Sequence, residues 1–172
     1  MLLYKDVISD DEMFTDAVAV KDIDDIVYEV DCKMITVSDE ENFDIGANAS
    51  AEGGEDGDEG VANPSARQVN NVVHANRLQT TSFDKKSYTV YMKGYMKSLI
   101  EYLSKNQPDR VSDFKSKAQG HFKKILDKFD DYEFYTGESM NPDGMVALLN
   151  WREDGITPYL IFWKDGLKQE KL

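Results

Sequence analysis

Residues 87–103, SYTVYMKGYMKSLIEYL, decide how this chain folds. Apolar side chains recur there at the i, i+3, i+4 and i+7 spacing of an amphipathic helix. The stripe consists of Tyr88, Tyr91, Met92, Tyr95, Met96, Leu99 and Leu103. Lys86, Lys93 and Lys97 lie on the opposite face, and the pattern ends at the sequence Asn106-Gln107-Pro108. We therefore predict a helix that packs its aromatic and methionine stripe on a core.

A second helical pattern follows after this break. Its apolar stripe consists of Val111, Phe114, Ala118, Phe122, Ile125 and Phe129. Two amphipathic helices joined by a short connection form an antiparallel hairpin. We place this hairpin at residues 83–130.

On both sides of the hairpin the pattern is that of strands. Residues 24–37 alternate with period two and predict a half-buried strand with Ile26, Cys32 and Met34 on its apolar face. Residues 72–78 around His74 are also strand-like. Three further strands are predicted within residues 132–137, 144–151 and 157–166, separated by turn sequences. Strands at both ends and helices between them predict an α+β fold with mostly antiparallel sheets.

We expect the 172 residues to form a single domain, residues 1–172. Charge is distributed unevenly along them. The net charge is −13. Residues 85–128 contain 11 Lys and Arg against 4 Asp and Glu, a net +7, whereas the remainder contains 9 against 29, a net −20. We therefore expect the hairpin to attract acidic partners, and we expect no specific nucleic-acid binding. No apolar run reaches 18 residues, so no membrane span is predicted.

The acidic segment at residues 38–66 is predicted to be a flexible loop. It has nine acids between Asp39 and Glu59 and no Lys or Arg between Lys33 and Arg67. Ordering about 28 residues costs roughly 30–55 kcal/mol of backbone entropy. Its few apolar side chains return only about 1.5–3 kcal/mol each. Burial cannot offset that cost.

The residues offer little for catalysis or for a built metal site. An EF-hand register starting at Asp56 fails, because position 5 is Gly60 and position 12 is Arg67. The glycine-rich segment GGEDGDEG at residues 53–60 has no lysine, and its carboxylates would repel phosphate. One cysteine and two histidines make a closed zinc site improbable, and Cys32 on an apolar face is more typical of a core thiol than of a nucleophile. We predict that the chain is not an enzyme and requires no cofactor.

Several long stretches resemble the translationally controlled tumour protein (TCTP) family. IGANASAEG at residues 45–53 is similar to the first sequence signature of this family, and FDDYEFYTGESMNPDGMVALLNWREDG at residues 129–155 is similar to the second. The opening MLLYKDVISDDEMF, the middle SFDKKSYTVYMKGYMKSL and the closing TPYLIFWKDGL also match. The resemblance covers the whole chain and is strongest to fungal members.

The resemblance implies a fold: a twisted antiparallel β-tent, similar to chaperones of nucleotide-free small GTPases, with an inserted helical hairpin and a mobile acidic loop. It also implies a non-enzymatic interaction protein connected with microtubules, translation, growth control and stress. A cytoplasmic location is expected, with microtubule and mitochondrial association, and a monomer.

Site residues follow from the same resemblance. Glu12 matches a family acid proposed to contact a Ras-like GTPase, whereas the sequence alone favours the plainer interpretation of one acid in a polar turn; the resemblance makes the two interpretations comparable. The hairpin resembles the region assigned to tubulin binding, where Lys85, Lys86, Lys93 and Lys97 would meet acidic tails. Asn48 and Glu133 match proposed calcium positions, although Glu133 replaces an amide of animal members. The alternative function is therefore a weak calcium-binding protein whose acidic loop responds to the metal.

Overall fold

A computed structural model of the protein describes residues 1–38 and 66–172, which form antiparallel sheets and a helical hairpin. The strands before the hairpin are β1 Leu2–Asp6, β2 Glu12–Thr15, β3 Val20–Ile23, β4 Val27–Asp31, β5 Met34–Ser38, β6 Ala66–Asn70 and β7 Gln79–Thr81. The strands after it are β8 Glu133–Thr136, β9 Ala147–Trp151, β10 Pro158–Trp163 and β11 Leu167–Lys171. The helices are α1 Asn71–Asn76, α2 Lys85–Asn106 and α3 Val111–Asp127. The predicted α+β class is confirmed.

The largest sheet has the strand order β3-β4-β10-β9-β8-β7, and all its pairs are antiparallel. Its strand β10 is buried on both faces. Phe162 contacts Phe14 of β2, with ring centroids 4.6 Å apart, whereas Trp163 contacts His121 of α3 at 5.5 Å. Because neighbouring strand residues point to opposite faces, the hairpin covers one side of β10 and the sheet β11-β1-β2 covers the other.

The helical hairpin forms as its periodicity predicts. Asp84 caps α2 by accepting a hydrogen bond from the Ser87 backbone N–H at 2.7 Å, and Gln107-Pro108 ends the helix. The buried residues of α2 are Tyr88, Met92, Tyr95, Leu99 and Leu103; those of α3 are Phe114, Ala118 and Ile125. Around Tyr88 the rings of Phe83, Phe122, Phe129 and Phe134 pack within 6.0 Å, which joins the base of the hairpin to β8.

A network of ion pairs attaches the far end of the hairpin to the sheets. Arg110 donates from Nε and Nη2 to the two carboxylate oxygens of Asp165, both at 2.8 Å, and from Nη1 to Asp25 at 2.6 Å. Lys117 and Lys164 also donate to Asp25. These hydrogen bonds, from Lys164 and then Lys117, hold the pKa of the Asp25 carboxyl well below its ordinary value. The network orients the hairpin on the sheet.

Two predicted strands differ from what the structure contains. Residues 24–37 are not one strand: β4 ends at Asp31, and β5 begins at Met34 after a break at Cys32-Lys33. The cause is a change of partner, because β4 pairs with β10 whereas β5 pairs with β6 outside the large sheet. Met34 is consequently exposed and not buried.

The prediction of a strand around His74 is wrong, because residues 71–76 form the short helix α1. The Asn70 side chain accepts hydrogen bonds from the backbone N–H groups of Val72 and Val73 at 2.9 and 3.1 Å. This N-cap overrides the β-preference of the paired valines.

The predicted flexible loop at residues 38–66 lies outside the described residues apart from its ends. Those ends, Ser38 and Ala66, face each other as the last pair of the β5-β6 ladder. Asn48 lies outside the described residues as well.

Arg110 provides a test of the ion-pair network. Its side chain is 14% exposed and that of Asp165 only 6%, so Arg110→Ala leaves a buried carboxylate unpaired. We expect the free energy of unfolding to fall by about 3 kcal/mol in urea titrations. Arg110→Lys should be intermediate because it keeps the charge but loses the paired geometry. Lys105→Ala, at an exposed site on the same hairpin, should change the free energy of unfolding by less than about 0.5 kcal/mol. A similar effect of Lys105→Ala and Arg110→Ala would contradict this role.

We predict that the protein loses stability in mild acid because of the protonation of His121. Burial, followed by the nearby Lys124, lowers the pKa of His121 below its ordinary value of 6.5, against opposing contributions from Asp24 and Glu29. The unfolded chain therefore takes up this proton at a higher pH than the folded chain. The free energy of unfolding should fall as the pH drops below about 6.5 and level off once the folded protein is also protonated.

Urea titrations at several pH values from about 7.5 to 5 measure this dependence. His121→Leu should flatten the profile across that window. Parallel profiles of the two proteins would refute the contribution of His121.

Candidate functional site

Two charged surfaces of the described residues contain the predicted partner-binding residues, Glu12 and the hairpin lysines. The first is an acidic edge made of the β1-β2 turn and the segment 137–145. Its buried centre is the Asp6 carboxylate, which accepts hydrogen bonds from the Ile8 N–H at 2.9 Å, the Ser9 hydroxyl at 2.8 Å and the Met145 N–H at 2.7 Å. Asp6 is 1% exposed. Such a satisfied buried carboxylate fixes the turn against the segment before β9.

Asp11 forms a second connection between the same segments. Its carboxylate accepts a hydrogen bond from the Ser139 hydroxyl at 2.6 Å. A Cβ atom at Gly137 would lie 2.4 Å from the Asp11 Oδ2 atom, so the close approach requires glycine there. Next to Ser139, Met140 adopts a left-handed backbone with φ of 58° and is 56% exposed. The edge thus combines a rigid backbone with an exposed apolar side chain.

Glu12 lies at the start of β2 on this edge, and its side chain is exposed. Its acidic neighbours have structural contacts: Asp11 binds Ser139, and Asp10 pairs with Lys168 at 2.7 Å and with Lys5 at 3.4 Å. Among the residues that the structure describes, the Glu12 carboxylate has neither a hydrogen bond nor an ion pair. Glu12 is therefore the acid of this turn that is available to a partner.

The second surface is the solvent side of the hairpin. Lys85, Lys86, Lys93 and Lys97 are all exposed, and within residues 1–38 and 66–172 none has a carboxylate within ion-pair distance. Five further hairpin lysines are also exposed: Lys105, Lys115, Lys123, Lys124 and Lys128. These nine lysines face solvent beside four exposed acids, a net +5.

The sequence count of +7 overstates the charge that the hairpin offers to a partner. Arg110 and Lys117 are the remaining two of its 11 cations, and both are ion-paired with the sheet side of the molecule. Sequence analysis missed this division. The isolated arginine of Asp109-Arg110 beside the helix break was the available signal, because arginine is preferred for bidentate ion pairs.

The calcium positions gain no support from the described residues. Glu133 is exposed at the start of β8, and no group of three or more His, Cys, Asp or Glu residues suited to a metal occurs in the described part of the chain. Asn48 lies outside it. Calcium binding stays a prediction.

Cys32 is buried and donates a long hydrogen bond, 3.4 Å, to the Val30 carbonyl. Burial raises the pKa of this thiol to about 11. A thiol that is protonated at neutral pH is a poor nucleophile. The geometry matches the predicted core thiol and not a reactive site.

Sequence analysis also missed Asp6, Ser139 and Gly137, which build the acidic edge. Asp6 followed by Ser9 is a local turn pattern that could have indicated the first of them. Nothing local to Ser139 indicates a contact 128 residues away.

Among the described residues, no helix is both long enough and apolar enough to cross a membrane.

Comparison with known proteins identifies the family. The TCTP family model, described as translationally controlled tumour protein, matches residues 1–168. Homologues of that protein from Yarrowia lipolytica and Schizosaccharomyces pombe are 60% identical over 172 residues and 57% identical over 171 residues, covering 100% and 99% of both chains.

Two solved structures are similar along the whole chain. The translationally controlled tumor-associated protein of Schizosaccharomyces pombe has a TM-score of 0.83 at 56% identity and covers 100% of both chains. The translationally-controlled tumor protein of Caenorhabditis elegans has a TM-score of 0.71 at 32% identity, covering 100% of this chain and 99% of the other. With its hairpin, sheets and charged surfaces in the arrangement described above, this chain belongs to the translationally controlled tumour protein family.

Proposed function

We propose that this chain is a non-enzymatic cytoplasmic interaction protein with two partner surfaces. The exposed hairpin lysines bind acidic partners, of which tubulin is the first candidate, and the edge around Glu12 binds a Ras-like small GTPase and assists its nucleotide exchange. The observation that carries the proposal is the unpaired state of these charges among the described residues, beside neighbours that are engaged in the fold.

The hairpin supports the first part of the proposal through its charge and its rigidity. Nine exposed lysines project from the hairpin, whose two helices the Arg110 network and the Tyr88 ring cluster hold against the sheet. The C-terminal tails of tubulin are acidic. Exposed ion pairs contribute about 0.2–1 kcal/mol each, so five or six supply a few kcal/mol. Binding should be micromolar or weaker and sensitive to salt.

The acidic edge supports the second part through the contrast between Glu12 and its neighbours. Asp6 and Asp11 fix the backbone on either side of the turn, so Glu12 is presented on a firm support. Preorganised charge needs little ordering on binding. Met140, exposed beside Ser139, adds an apolar contact of the kind found at the centre of protein interfaces.

The wider roles implied by the family resemblance are included in the proposal. They are association with the translation machinery, growth control and stress protection, with microtubule and mitochondrial locations.

Charge reversal tests the hairpin surface. The triple variant Lys86→Glu, Lys93→Glu and Lys97→Glu should lower microtubule co-sedimentation at least about tenfold, because each reversal replaces attraction by repulsion. The matched control reverses Lys21, Lys33 and Lys171, which are exposed lysines of the sheet strands and connections. It changes the net charge equally and should retain binding near that of the wild type. Equal losses in the two triple variants would reject a specific hairpin surface.

Replacing Glu12 tests the acidic edge. Glu12→Gln keeps the shape and removes the charge, and should weaken binding to a nucleotide-free Ras-like GTPase at least about tenfold while slowing stimulated release of labelled GDP. Glu153→Gln, an exposed acid of the β9-β10 turn, is the control and should behave as the wild type. Thermal unfolding should be unchanged in both variants. If Glu12→Gln stimulated GDP release as strongly as the wild type does, Glu12 would not belong to the site.

A further inference from the structure

A groove runs between α2 and α3 on the outer side of the hairpin. Its volume is about 260 Å³. The floor is made of Met92, Phe114 and Ala118, which are buried, and the walls include Met96 and Ile100, which stay half-exposed after folding. Contiguous apolar surface with a polar rim is typical of an interaction site. The binding of acidic tails by lysines leaves this apolar surface unused.

The form of the groove suits a helix. Its lining on α2 extends from Thr89 to Ile100, which at 1.5 Å per residue corresponds to about 16 Å, or three helical turns. Ala118 lies between Phe114 and Phe122, so its small side chain leaves a depression between two aromatic rings. Large side chains from an incoming helix could enter there, in the way that ridges of one helix pack into grooves of another. Methionine walls adapt readily to different apolar partners.

The positive charge on both rims of the groove favours a bound segment with acidic residues along its two flanks. Lys93 of α2 and Lys115 of α3 are both exposed at the groove, one on each side. Within the described ranges, neither ammonium group has an ion-pair partner. Carboxylates on both flanks of an apolar stripe would therefore meet these lysines.

We propose that this groove binds a short amphipathic helix of a partner protein, with leucine, methionine or phenylalanine in the groove and Asp or Glu along both flanks. This site goes beyond the proposed function because it recognises an apolar stripe as well as negative charge. The helix-in-groove mode predicts anchors at i, i+3, i+4 and i+7 of the partner.

A designed peptide tests the proposal on the full chain. The probe is a fluorescent peptide of about 14 residues with Leu at the i, i+3, i+4 and i+7 positions and Glu elsewhere. We expect saturable binding by fluorescence anisotropy. Replacing Glu by Lys, or scrambling the Leu positions at the same composition, should weaken binding at least about tenfold. Equal binding of the three peptides, or none of the Leu/Glu peptide, would overturn the proposal.

Variants of the groove locate the binding site. Two variants change the groove itself: Met96→Gln, and the double variant Lys93→Glu with Lys115→Glu. Each should weaken peptide binding about tenfold. The matched control, Lys21→Glu with Lys171→Glu, makes the same charge change at exposed lysines outside the hairpin and should weaken peptide binding by less than about threefold. Equal losses from the two lysine pairs would indicate a diffuse charge effect and refute the groove.

Methyl NMR of the wild-type chain gives a readout that needs no substitution. On addition of the peptide the Met92 and Met96 methyl signals should shift, whereas that of Met140, which does not line the groove, should stay in place. Unchanged Met92 and Met96 signals in the presence of bound peptide would place the site elsewhere. Sedimentation showing a dimer that Met96→Gln abolishes, without peptide binding, would assign the groove to a second copy and overturn the proposal.

Discussion

The need to cover both faces of β10 governs the architecture. Phe162 and Trp163 are adjacent in sequence and point in opposite directions, and each is almost completely buried. One face is closed by Phe14 of the three-stranded sheet and the other by His121 of the hairpin. A sheet with one solvent face would not need the helices. Here the helices are a structural layer, so a partner that binds the hairpin binds a rigid part of the molecule.

The division of charge follows from the same arrangement. The cations Arg110 and Lys117 contact Asp25, and Arg110 also contacts Asp165, where they hold the hairpin on the sheet. The nine exposed lysines of the hairpin have no ion-pair partner among the described residues. Cations at the contact with the sheet therefore act in stability, and those facing solvent are available for recognition. A charge count along the sequence cannot separate these two roles.

Much of the fold could be predicted because its local patterns are strong. The stripe from Tyr88 to Leu103 and the apolar run in β10 have one clear period or composition each, and both occur as expected. Predictions failed where a distant or capping contact decided the outcome. The strand at residues 24–37 breaks because β5 takes a different partner, and Asn70 turns a valine-rich segment into α1.

The candidate site was less predictable for the same reason. Exposure of single lysines on an amphipathic helix follows directly from periodicity. The support beneath Glu12 depends on the contact between Asp11 and Ser139, and the network around Asp25 joins segments 85 and 139 residues apart. Such contacts appear only when the chain is folded. The family resemblance could indicate Glu12 but not the reason that its carboxylate is available.

The pairing of Ser38 with Ala66 has a practical consequence for protein engineering. The ladder between β5 and β6 brings the two ends of the intervening chain together independently of how many residues join them. Loop-closure entropy grows only logarithmically with length, by about 0.6 kcal/mol for each doubling. This junction is thus a natural insertion point, where a fluorescent module or an affinity tag could be fused inside the chain with both termini left native.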